Sequence, residues 1–140
     1  MTSIDKRVAA GLSTMTLSRD SIQEHFITVV PEGDESPESL FRRTAEAFRR
    51  LNAEPVSVEV LGMSAADRKS LDVLTKALDG KDLPLAWVEN SRTDNLCGVH
   101  IWAVSGTPVE PIYFNGRRVG TVFEDDHIRY GRLVGLLPAD

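Results

Sequence analysis

The hydrophobic pattern of this chain changes period along its length, and each period names an element. In "HFITVVPEG", β-branched and aromatic residues run from Phe26 to Val30 before Pro31 and Gly33 close the segment, which predicts a strand. "SPESLFRRTAEAFRRLNAEP" switches to helical spacing, with Phe41, Ala45, Phe48 and Leu51 forming one apolar stripe. Ser36 suits the N-cap, Pro37 the first helical position and Glu38 the positive end of the dipole, while Pro55 ends the segment. "VSVEVLG" returns to period two, predicting Val56, Val58 and Val60 on one face and Ser57, Glu59 and Leu61 on the other. A second helix is predicted over "SAADRKSLDVLTKALDG": Ser64 and Asp67 resemble a capping box, Leu71, Leu74 and Leu78 face inward, and Gly80 stops it.

The remainder reads as strands. "PLAWVEN" is short. "CGVHIWAVSG" is longer, with Val99, Ile101 and Ala103 opposite His100, Trp102 and Val104. Asn115-Gly116 between "PIYF" and "RRVGTVF" is the signal of a hairpin with a type I′ turn. After "EDDH", the stretch "IRYGRLVGLLP" predicts a last strand that needs a pairing partner. The order is strand, helix, strand, helix, two strands, a hairpin and a strand, which predicts an α+β fold with both helices on one face of a mixed sheet. One domain over 1–140 is expected, with an N-terminal segment (1–20), a core (21–106) and a C-terminal hairpin and strand extension (107–140). No third helix is predicted for the other sheet face, so self-association is the simplest cover for it.

Composition narrows the functional classes. The 140 residues are 41% hydrophobic and 26% charged with net charge −5, ordinary for a globular chain able to bury a core without staples. An acidic balance argues against general nucleic-acid binding, and no aromatic residues interleave Arg42, Arg43, Arg49 and Arg50 to stack bases. That arginine face reads as solvated and paired with Glu46. Cys97 is the sole cysteine, which excludes an intrachain disulfide and fits a reducing cytoplasm. No signal-peptide core or membrane span is found, so a cytoplasmic location is expected. No cofactor is implied, and no phosphate loop, nucleophile elbow or catalytic triad spacing is present.

Candidate chemistry is sparse. His100 and Trp102 share one strand face and could line a cleft, with His100 able to exchange a proton near neutral pH; interface packing is the plainer reading. Trp87 is a further cleft candidate. Arg92, in "NSRTDN", could serve as a carboxylate clamp, against a plain solvated turn. Cys97 reads as an inert thiol. Glu124, Asp125, Asp126 and His127 could attract a hard cation, yet adjacent carboxylates in a turn are usually solvated, and no metal site is expected.

The stretch from "HFITVVPEG" to "VHIWAVSG" resembles, in the order and spacing of its elements, the Rid/YjgF (endoribonuclease L-PSP-like) family. That resemblance implies a homotrimer whose sheets form a barrel, with small-molecule pockets between subunits. "VHIWAVSGTPVEPIYFNGRRVGTVFEDDHIRYGRLVGLLP" is also similar to the first half of chorismatases, two-halved enzymes with a "GRxVGxxxED…RY" stretch at the join. On that likeness "YGRLVGLLPAD" would be the first strand of a second half absent from this chain, making residues 1–140 a first half alone or a stand-alone protein descended from one.

The same resemblance takes an activity away. Rid imine deaminases grip the substrate carboxylate with an arginine shortly after a proline; in Pro84-Leu85-Ala86-Trp87 that place belongs to Ala86. Their last core strand carries an acid, where "VHIWAV" offers His100 or Trp102. Chorismatase active sites are built mainly from the second half, so none of those residues carries over. The expectation is therefore an oligomer, a homotrimer by resemblance, that binds a small metabolite in intersubunit clefts without the deaminase arginine. No catalytic residue is assigned. Two rivals stand beside it: an enamine/imine deaminase using Arg92, and a chorismate-handling protein that needs a second half.

Overall fold

The computed structural model describes residues 1–62, 68–78, 82–89 and 95–136. Two sheets and two helices are built in the order β1 (Ser3–Ala9), β2 (Leu12–Arg19), β3 (Ile22–Val29), α1 (Pro37–Arg49), β4 (Glu54–Leu61), α2 (Arg68–Ala77), β5 (Leu85–Val88), β6 (Gly98–Ser105), β7 (Glu110–Phe114), β8 (Arg117–Glu124) and β9 (Arg129–Leu133). The larger sheet runs β1-β2-β3-β6-β4-β5 and the smaller β7-β8-β9. Among the described strands only the β4/β5 pair is parallel, so the fold is α+β with a mixed six-stranded sheet.

Ser36 caps α1 as its residue type dictates, its Oγ accepting from Ser39 N at 3.2 Å. Phe41, Ala45 and Phe48 of α1, Leu74 of α2 and Leu78 just after it pack on Ile27, Val29, Val58, Val60, Val99, Ile101 and Ala103. Strand alternation gives those sheet residues a common face, so both helices cover the same side. The β6 faces fall as their pattern predicts: Val99, Ile101 and Ala103 meet the helices, while Trp102 and Val104 turn away. The capping pair Ser64/Asp67 and the stop at Gly80 lie outside the described residues, as do Leu137 and Pro138 of the last predicted strand.

Three features depart from the sequence pattern. Residues 1–20, expected as a segment outside the core, form the hairpin β1–β2, which pairs in full register with β3. Its β2 alternates hydroxyls (Thr14, Thr16, Ser18) with Met15 and Leu17, so no apolar run announces it. In β4 the register shifts between Pro55 and Ser57. This bulge, at a proline that cannot donate to the ladder, sends Val56 to the face away from the helices, unlike Val58 and Val60.

The third departure concerns the other face of the large sheet. It was expected to lack a covering helix, with self-association as the simplest cover, yet the small sheet caps one end of it. Phe123 of β8, with Val109 and Tyr130, packs on Ile22, Val56, Trp102 and Val104. The small sheet is positioned by its turns. Asn115 (φ 49°) and Gly116 (φ 73°) take the left-handed backbone that the hairpin requires. β9 then adds antiparallel to β8, from Glu124↔Arg129 to Gly120↔Leu133. The last strand thus finds its partner within the chain.

Candidate functional site

Pairing across four strands sets a polar row on the sheet face opposite the helices. Thr28 of β3 lies beside His100 of β6, His100 beside Glu59 of β4, and Glu59 beside Ala86 of β5. Thr28 Oγ1 and His100 Nδ1 share a hydrogen bond of 3.1 Å. Arg132, delivered by β9 of the small sheet, donates to Glu59 Oε1 at 2.7 Å, both side chains remaining partly exposed. The next row is aromatic. Phe26 stacks on Trp102 (centroids 5.9 Å), and Phe123 meets Trp102 edge-on at 5.7 Å. Trp102 Nε1 is buried and finds no acceptor among the described residues. Around these rows Ile4, Met15, Leu61 and Val88 share the same face and are exposed.

The candidates from the sequence are therefore only partly assembled. His100 and Trp102 share the open face. Trp87 does not join them: it pairs with Val60 and packs against the helix-side core. Arg92 lies outside the described residues. Ala86, where the resemblance expects a guanidinium, does face the polar row, and the arginine found near that row is Arg132. Nothing in the linear pattern could announce Arg132, because it reaches Glu59 only through docking of the small sheet.

A second polar cluster ties the two sheets together. Arg19 at the end of β2 donates to Glu24 Oε2 at 2.7 Å and to Tyr130 OH at 2.5 Å, and its guanidinium carbon sits 4.7 Å from the Tyr130 ring centre. Tyr130 OH donates onward to Asp125 Oδ2 at 3.1 Å, and Tyr130 stacks on Phe123. Asp125, considered above as a solvated turn residue, is instead occupied. Its Oδ1 accepts the backbone N–H groups of His127 and Ile128 at 2.8 and 2.7 Å, and these bonds hold its carboxyl below the ordinary range. Among the described residues no group of three or more metal-ligating side chains is assembled.

The arginine face of α1 is likewise less free than its spacing suggested. Arg43 donates to the carbonyls of Ala10 and Val30 and to Glu35, which its hydrogen bond holds below the usual carboxylate range. Arg49 donates to Ala77 O at the C-terminal end of α2, where a cation is favoured. Arg42 pairs with Glu38 one helical turn away.

His25 is the titratable group that the strand pattern hid. It lies on the helix side of β3, buried, between Thr16 Oγ1 (2.9 Å from Nδ1) and Ser105 Oγ (3.0 Å from Nε2). Burial pushes its pKa down.

No family model, curated protein or solved structure matches this chain. No described helix is long and apolar enough to cross a membrane.

Proposed function

We propose that copies of this chain associate through the sheet face opposite the helices and hold a small metabolite in the clefts between them, in the manner of the Rid/YjgF proteins it resembles. The observation that carries the reading is the composition of that face. An open polar row (Thr28–His100 and Glu59–Arg132) lies among exposed apolar residues (Met15, Leu61 and Val88) that a single chain leaves uncovered. Exposed apolar residues interleaved with polar groups on one sheet face suit a subunit interface, whose composition is mixed. By the resemblance the assembly is a homotrimer. Light scattering behind a sizing column should return the mass of three chains, and a clean monomer at micromolar concentration overturns the reading.

Imine deamination is not part of this function. Ala86 cannot grip a carboxylate, and the β6 face offers His100 and Trp102 rather than an acid. Loss of a buried charge-assisted clamp costs on the order of several kcal/mol, and each ~1.4 kcal/mol is tenfold in rate. Ammonia release from an amino-acid-derived imine should equal the uncatalysed background. One observation favours a second reading: Arg132 stands over Glu59, the cross-strand neighbour of Ala86, and could replace the absent clamp. Turnover that disappears in Arg132→Ala would establish that reading. The chorismate-handling alternative has less support, since the strand it assigns to a missing half pairs with β8.

A further inference from the structure

The hairpin β1–β2 extends the large sheet beyond the reach of the helices and leaves a trough on their side of it. The floor is the hydroxyl-bearing face of β2 with His25 of β3, one wall is the end of α1, and the cavity measures about 490 Å³. That lies within the range of small-molecule sites, about 300–1,000 Å³. A merely solvated sheet face would have no reason to shelter these groups. Thr14 and Thr16 are half-buried, and His25 beneath them is fully enclosed.

The hydrogen-bonding capacity in the trough is unevenly used. Thr16 is held by His25, whose other nitrogen is held by Ser105, so one hydroxyl and the imidazole are fixed before any ligand arrives. The Thr14 hydroxyl and the Arg50 guanidinium on the α1 wall make no hydrogen bond or ion pair among the described residues. Arg7 stands on the opposite rim, with Asp5 already engaged by it at 3.1 Å. Leu12 and Leu51 supply an apolar shelf. Preset hydroxyl and imidazole groups in the floor, with guanidinium groups on both walls, match a molecule that carries several hydroxyls and one anionic group.

We propose that this trough binds a small polyhydroxylated anion, its charged end between Arg50 and Arg7 and its hydroxyls on Thr14 and Thr16. The site is on the opposite face of the sheet from the His100 row and does not rest on the function proposed above.

The test is calorimetric titration with two hydroxylated anions, ribose 5-phosphate and gluconate, against inorganic phosphate and ribose. At least one hydroxylated anion should bind, with phosphate and ribose each weaker by ~10-fold or more. Arg50→Ala and Thr14→Val should each cost about tenfold in affinity while the melting temperature holds. The three histidines, His25, His100 and His127, give a readout without substitution. Ligand should shift the ring resonances of His25 and leave those of His100 and His127 in place. Failure of both hydroxylated anions to bind, equal binding of inorganic phosphate, or shifts at His100 instead of His25 would each overturn the proposal.

Discussion

His25 commits both ring nitrogens to hydroxyls in a dry setting, and this makes it the first group to fail in acid. Its folded pKa is below the unfolded value of about 6.5. The unfolded chain therefore takes up the proton first, and stability is full above about pH 6.5 and declines as pH falls toward the lowered folded value. Glu35 and Asp125, also lowered, extend the loss below their ordinary values of 4.5 and 3.8. Melting temperature against pH should show two stages, and His25→Gln should remove the first. Arg19 is the second critical residue. Arg19→Ala strands Glu24, only 7% exposed, and should cost about 3 kcal/mol by denaturant titration, against about 1 kcal/mol for Tyr130→Phe. At this scale the sequence was legible where a residue acts on its neighbours, as Ser36 does on Ser39. It was opaque for Arg43 and His25, because the groups they bond in or next to other strands reach them only after the sheet forms.

At the scale of elements, local chemistry was sufficient wherever a period of two or 3.6 ran uninterrupted. Both helices and β6 follow from it, and the left-handed Asn115-Gly116 turn follows from residue type alone. The β1–β2 hairpin was missed because Thr and Ser fill the positions where an apolar residue would have revealed the alternation. The β4 bulge was missed because Val56, Val58 and Val60 look equivalent until Pro55 displaces one of them. The small sheet makes the sharpest prediction here. β9 holds Arg132 and Tyr130, the residues that meet Glu59 and Arg19 across the two sheets. Deleting everything after Glu124 should expose Phe123 and the apolar edge of β8, costing solubility and lowering the melting temperature. A truncated protein that stays soluble and melts unchanged would show β9 to be a vestige.

For the whole molecule, the sequence pattern left one sheet face in need of cover, and the chain supplies part of that cover itself. Met15, Leu61 and Val88 remain exposed on that face, and association can be tested there without touching either buried cluster. Leu61→Glu should return monomers in light scattering while the circular dichroism spectrum is retained, since Leu61 is exposed in the single chain. The strand order has a further consequence, for the growing chain. β3 and β4 do not pair; each pairs with β6, which lies between them. Until Ser105 has left the ribosome, β6 cannot bridge the strands on its two sides. A nascent chain whose exposed part ends just before Gly98 is thus the form on which chaperones should be found, and emergence of the 8 residues of β6 should discharge them.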